Sequence, residues 1–143
     1  MKIALLGLIV ASGCGSAADD THSMHHDHGD STLPEDFDDS TEKTTASGIL
    51  VTYSTAPNPP VESEEFSVIL SHSGGTIVAV DAAMPTHGGH GMNVTPRLED
   101  DGTGTVVVSP FQFHMPGYWE MVVDLENDAG QEEQVRFDMA CCG

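Results

Sequence analysis

Apolar and polar residues alternate from about Gly48 onward, and this alternation constrains the fold more than any other feature of the chain. Seven separate runs show it, and the clearest has Trp119 and Met121 on one face and Glu120 and Asp124 on the other. Successive side chains of a β-strand point to opposite faces of the sheet, so a period of two indicates a half-buried strand. No comparably long segment shows the 3.6-residue apolar repeat of an amphipathic helix. The chain is therefore predicted to be all-β.

Turn-forming residues separate the seven predicted strands. The first run ends at Pro-Asn-Pro-Pro (57–60), the second at Ser-Gly-Gly (73–75) and the sixth before Asn-Asp-Ala-Gly (127–130). Glycine, proline and asparagine at such positions are typical of turns. Seven short strands with regular turns predict a seven-stranded immunoglobulin-like β-sandwich over residues 46–143. The Cys-Trp-Cys core of antibody domains is absent, so the expectation concerns the architecture alone.

The first residues have the pattern of a targeting segment. One lysine precedes an apolar run over residues 3–10, which is shorter than the ~20 residues of a membrane-spanning helix. Such a run is typical of a signal peptide. Ala-Ser-Gly-Cys (11–14) resembles a bacterial lipobox, which predicts a lipoprotein signal peptide over residues 1–14 and lipidation of Cys14. Ordinary signal cleavage nearby is the alternative.

The lipobox hypothesis predicts an exported protein that is anchored to the cell envelope by acyl chains. Gly15, rather than aspartate, follows the cysteine. In a Gram-negative cell this resembles the signal for transfer to the outer membrane, facing the periplasm. The formal net charge of −19 makes nucleic acid an unsuitable partner, because its phosphates repel an acidic chain. The lipid bilayer is expected to be contacted through the acylated N-terminus only.

Residues 15–45 are polar and acidic and contain too few apolar residues to form a core, which predicts a disordered, His-rich tether. A compact tract within it carries five side chains of metal-binding types: His22, Met24, His25, His26 and His28. Tracts rich in histidine often bind metals loosely. The tract is therefore either an auxiliary metal site or a solvated linker without a specific ligand.

Two short segments between predicted strands combine methionine with histidine. They are residues 84–92, Met-Pro-Thr-His-Gly-Gly-His-Gly-Met, and residues 113–119, Phe-His-Met-Pro-Gly-Tyr-Trp. Thioether sulfur selects Cu(I), whereas imidazole also suits Cu(II) and Zn(II). The predicted metal ligands are Met84, His87, His90, Met92, His114 and Met115. Copper is the predicted ion, with Cu(I) favoured over Cu(II). The alternative is that the methionines pack in the core and the histidines are polar loop residues, with no cofactor.

Strand alternation predicts that the two segments meet. If consecutive strands are antiparallel, both connections fall at one end of the sandwich, and the N-terminal tether enters at the other end. The innermost ligand set is predicted to be His87, His90 and His114 with one methionine. Cys141 and Cys142 are expected at the same end, as a reduced thiol pair, an intermolecular bridge or auxiliary soft metal ligands.

The same two segments resemble a known family. Ala83-Met84-Pro85 through Met92, and Phe113 through Trp119, are similar to motifs of the YtkA-like and FixH-like domains, which are small exported bacterial Ig-like β-sandwiches. The resemblance covers residues 45–140. It implies copper handling or respiratory oxidase maturation, with a membrane respiratory or copper-transport protein as partner. The chain departs from the family in its lipobox, its His/Met tract and its terminal cysteine pair.

Two functions from different classes follow from these patterns. The first is an exported copper-binding lipoprotein that serves as a chaperone, scavenger or buffer. The second is a non-metal protein-interaction module of the cell envelope. Enzymatic activity is not expected, because no Ser-His-Asp or paired-carboxylate signature can be placed in one pocket. A redox copper site with an open coordination position is the remaining enzymatic alternative.

Overall fold

A computed structural model describes residues 33–142, and these residues form two antiparallel β-sheets. The strands are β1 Glu42–Thr44, β2 Leu50–Ala56, β3 Glu65–His72, β4 Thr76–Met84, β5 His90–Gly91, β6 Arg97–Asp100, β7 Thr105–Gln112, β8 Gly117–Glu126 and β9 Glu132–Cys141. A single 3-10 turn, Pro85–His87, follows β4. Over this range there is no helix long and apolar enough to cross a membrane.

One sheet has the strand order β1-β2-β3-β7-β6 and the other has the order β5-β4-β8-β9. Alternate residues of both sheets face one shared apolar core, to which Val68 and Val108 contribute from the first sheet and Met121 and Phe137 from the second. This arrangement is consistent with a β-sandwich, and it confirms the all-β prediction. The period-two pattern therefore has its expected cause, which is burial of one face of each strand.

The seven predicted runs all correspond to strands, but residues 33–142 contain nine strands. The two additional strands, β1 and β5, contain three and two residues. Segments this short cannot display an alternating pattern, which explains why the sequence did not reveal them. The fourth predicted strand, residues 93–98, also begins later than expected, at Arg97.

Part of the expected tether belongs to the folded domain. Residues 42–44 form β1 on the edge of the first sheet. The Asp138 carboxylate accepts hydrogen bonds from the Asp38 backbone N–H at 2.9 Å and from the Tyr118 hydroxyl at 3.0 Å. The Phe37 ring packs edge-on against Tyr118 with ring centroids 6.1 Å apart. These attachments depend on hydrogen bonds and one aromatic contact, which an apolar pattern does not reveal. Residues 1–32, with the predicted signal peptide and Cys14, lie outside the described residues.

The described chain enters the domain at the end where β4 and β9 finish and β8 begins. Leu33 lines a surface groove there together with Pro116 and Cys142. β1 then runs antiparallel to β2 and leads away from this end. We expected the chain to enter at the opposite end. That expectation was wrong because the unrecognised strand β1 reverses the direction of entry.

Gly75 supplies a test of the connection between the two sheets. Its φ is +67°, and a Cβ atom would lie 2.5 Å from the Glu126 carbonyl oxygen. Gly102 has a similar φ of +73°, but its Cβ position is open. We expect Gly102→Ala to cost ~1–2 kcal/mol from backbone strain alone. Gly75→Ala should cost a further ~1–3 kcal/mol, because the backbone must also move. Chemical denaturation of the two variants measures the difference, and equal losses would contradict the predicted clash.

Candidate functional site

The two Met/His segments lie at the same end of the molecule. Ala83 pairs with Glu120 across β4 and β8, and Gly117 pairs with Cys141 across β8 and β9. The connection after β4, the connection before β8 and the end of β9 are therefore neighbours. We call residues 84–92 and 113–117 at this end the Met/His pole. The end that carries the β3–β4 connection is the opposite pole.

Two glycines fold the first segment back on itself. Gly88 and Gly89 have φ values of +68° and +76°, which residues other than glycine rarely adopt. The Gly89 N–H donates to the Met84 carbonyl oxygen at 3.1 Å, and His90 then pairs with Met84 as part of β5. The loop is thus a tight return of the chain. His87 is half-buried within it and His90 is exposed.

The three methionines of the Met/His pole differ in burial. Met84 is fully buried in the apolar core. Met92 and Met115 are half-buried and pack against the edge of that core. Met84 therefore packs in the core, which was the alternative to its predicted role as a metal ligand. The side chains of Met92 and Met115 are more exposed than that of Met84.

His114 has an environment unlike that of the other described histidines at this pole. Its ring lies edge-on to Trp119, with centroids 5.4 Å apart and an interplanar angle of 78°. Its Nδ1 atom is buried and has no hydrogen-bond partner. The Trp119 indole N–H donates to the Met115 carbonyl oxygen at 3.0 Å, which fixes the segment that carries both residues. A buried polar atom without a protein partner is uncommon, because leaving it without a hydrogen bond costs free energy.

The predicted three-histidine set is not assembled. Between residues 33 and 142, no group of three or more His, Cys, Asp or Glu side chains is placed to hold a metal ion. His90 is exposed in β5, whereas His114 is half-buried against Trp119. A metal site built from this arrangement would need thioether sulfur in addition to imidazole.

The terminal cysteines are joined to each other. Cys141 and Cys142 form a disulfide at the end of β9, with Cys141 buried and Cys142 half-buried. This differs from the three alternatives drawn from the sequence, which were a reduced pair, an intermolecular bridge and auxiliary metal ligands. In the disulfide form neither sulfur is a thiolate, so ligation would first require reduction. The auxiliary tract, His22, Met24, His25, His26 and His28, lies outside the described residues.

Two features of the structure had no signal in the sequence. His72 at the opposite pole also has a buried ring nitrogen without a partner, Nε2, while its Nδ1 is 2.8 Å from the Gly74 carbonyl oxygen. The chain connections at the opposite pole contain no methionine.

Near the Met/His pole, burial and the hydrogen bond to Asp138 raise the pKa of Tyr118 to about 12. Tyr118 therefore stays neutral at physiological pH and serves as a hydrogen-bond donor.

Two substitutions separate the role of Met84 in core packing from its predicted role as a metal ligand. We expect Met84→Leu to change stability by less than ~1.5 kcal/mol, because it conserves volume. Met84→Ala should cost ~2–5 kcal/mol, because it leaves a cavity in a fully buried position. Cu(I) affinity should be unchanged in Met84→Leu. A large loss of Cu(I) affinity in the stable leucine variant would instead make the Met84 sulfur a ligand.

Comparison of the chain with protein-family models, with curated proteins and with solved structures finds no match.

Proposed function

We propose that this chain is an exported copper-binding lipoprotein that holds Cu(I) at the Met/His pole. The single observation that carries the proposal is the buried, unpartnered Nδ1 atom of His114 beside Met115. An imidazole nitrogen with a free lone pair can bind a metal, and a neighbouring thioether favours Cu(I) over harder ions. The proposed activity is binding and transfer of the ion, not catalysis of a reaction.

The proposed ligand set differs from the set expected from sequence. His114 supplies the imidazole that is held by the fold, and Met115 and Met92 supply the thioethers nearest to the surface. His87 lies on the folded return of the first segment and is the next donor, whereas the exposed His90 is peripheral. Cu(I) accepts small sets of soft donors, so this arrangement requires no third histidine.

The proposed location depends on sequence features outside the described residues, and the proposed partner depends on the family resemblance. We infer that Cys14 is lipidated and that the protein is anchored to the cell envelope. We also infer that the two sheets form an Ig-like sandwich of the YtkA-like or FixH-like kind. The resemblance to those domains favours delivery of copper to a membrane respiratory or copper-transport protein. In this role the protein is a chaperone, scavenger or buffer.

The test is Cu(I) binding by competition with a chromogenic chelator. The full chain with Cys14→Ser, which removes the predicted lipidation site, is compared with the same chain carrying His87→Ala, His90→Ala and His114→Ala. We expect one tightly bound ion in the first protein and loss of that ion in the second. Equal, weak binding by both proteins would overturn the proposal and move any metal binding to the His/Met tract or the cysteines.

A non-metal interaction module is the second candidate. Two observations favour it: no group of three His, Cys, Asp or Glu ligands is assembled in the described part of the chain, and much of the return at residues 85–91 is exposed. A loop held by turns can present a surface to a protein partner without an ion. A ligand that binds only the native state raises the unfolding temperature. An unchanged unfolding temperature when Cu(I) is added would therefore favour this second function.

A further inference from the structure

The Cys141–Cys142 bridge is poorly suited to a structural role. A disulfide stabilises a fold mainly by restricting the unfolded chain, and this effect grows with the length of the loop that the bridge closes. Adjacent cysteines close the shortest loop that a disulfide can close. The bridge therefore adds little stability as a cross-link, although Cys141 itself is buried in the core.

The surroundings of the bridge leave it accessible to small reagents. Cys142 has a φ of +83°, a conformation uncommon for residues other than glycine, and it is half-buried. The cross-strand partner of Cys141 is Gly117, which has no side chain to cover it. A groove of about 320 Å3 runs along the bridge, and its lining includes Pro116, Gly117, Cys141 and Cys142. A thiolate in this groove could reach the half-buried Cys142 side of the bridge, and disulfides that a thiol can reach are more often labile or regulatory than structural.

We propose that Cys141 and Cys142 form a reversible two-electron redox centre whose reduced form is a binding site for thiophilic ions. A dithiol reductant attacks one sulfur as its thiolate, forms a mixed disulfide, and then closes its own disulfide. The protein disulfide gains two electrons and two protons and becomes two thiols, while the reductant is oxidised to a disulfide. Oxidation of the pair reverses the same exchange.

The reduced pair presents two sulfur donors from adjacent residues at the edge of the Met/His pole. The two neighbouring thiols bind Cu(I) as thiolates with release of two protons, and the same two thiols condense with an organoarsenic(III) oxide, whose oxygen leaves as one water. The disulfide has neither thiol nor thiolate and binds neither species, so the redox state determines whether the site exists. This proposal requires only the cysteines and does not depend on copper binding by His114.

The experiment uses the full chain with Cys14→Ser, so that Cys141 and Cys142 are its only cysteines. The folded protein is equilibrated in mixtures of reduced and oxidised dithiothreitol, and free thiols are alkylated and counted by mass spectrometry. We expect a single transition between no free thiol and two. The reduced protein should then bind one phenylarsine oxide per chain and the oxidised protein none. Reduction that requires denaturant, or a reduced protein that binds no arsenical, would overturn the proposal.

Three variants separate this site from the proposed copper site. Cys141→Ser and Cys142→Ser each leave one thiol and should lose tight arsenical binding. The Cys142 variant is the safer of the two, because Cys142 is only half-buried. His114→Ala should retain one arsenical per reduced chain, and loss of binding in that variant would show that the dithiol is not a separate site. Failure of the oxidised protein to bind Cu(I), with intact thiol chemistry, would contradict only the function proposed above.

Discussion

Replacing His114 with alanine should lower the affinity for Cu(I) by at least ~10- to 100-fold, the loss that follows removal of even an outer partner of a metal ligand. The physical reason is that His114 offers a buried ring nitrogen with no competing hydrogen bond. Its position is fixed by the edge-on contact with Trp119 and by the indole hydrogen bond to Met115. Chelator competition on the full chain with Cys14→Ser measures the change.

His72→Ala is the matched control for this prediction. His72 is also half-buried and also has a ring nitrogen without a hydrogen-bond partner, but it lies at the opposite pole, away from every thioether of the Met/His pole. Its removal should leave Cu(I) affinity unchanged. Equal losses in the two variants would mean that the effect arises from general damage to the fold and not from a lost ligand. No loss in either variant would remove His114 from the site.

Replacing Trp119 with alanine should destabilise the protein by ~3–5 kcal/mol, the usual cost of truncating a large buried aromatic residue. Trp119 is fully buried, and its ring stacks on Phe113 with centroids 4.7 Å apart. It also donates the hydrogen bond that holds the Met115 carbonyl. Truncation removes the apolar burial, the stacking and the hydrogen bond together. Equilibrium denaturation monitored by far-UV circular dichroism measures the loss.

Trp119→Phe separates packing from positioning. The phenylalanine ring can still contact Phe113, but it cannot donate to Met115. We expect a smaller loss of stability than in the alanine variant and a measurable loss of Cu(I) affinity, because His114 and Met115 are held less firmly. Phe137→Leu is the control. Phe137, in β9, is fully buried beside Tyr53, and it is farther from the Met/His pole than Trp119 is. Loss of Cu(I) affinity in the Phe137 variant as well would show that stability alone controls binding.

The sequence predicted the strands well where alternation was strict. β8 is the clearest case, because every second residue from Trp119 to Leu125 is buried. β1 and β5 were missed, since pairs and triplets of residues carry no detectable period. The missing β1 had a larger consequence than its length suggests. One additional antiparallel strand changes the end at which the chain enters, so the position of the tether was wrong.

The candidate site was predictable in its location but not in its detail. The alternating direction of consecutive antiparallel strands was enough to predict that residues 84–92 and 113–117 lie at one end. Burial of individual side chains was not predictable, because a methionine that ends a strand has the same pattern whether it faces the core or a metal. Met84 faces the core. The sequence also gave no indication that the ring nitrogen of His114 would be buried without a partner.

The entry of the chain beside Pro116 and Cys142 has a consequence for how the protein sits on a membrane. With Cys14 lipidated, the link from Cys14 to Leu33 spans at most ~70 Å, since an extended chain advances no more than ~3.6 Å per residue. That link joins the domain at the Met/His pole. The Met/His pole would therefore be the attached end of the domain, within ~70 Å of the bilayer. An ion passing between the protein and a membrane-embedded partner would then be exchanged close to the lipid surface.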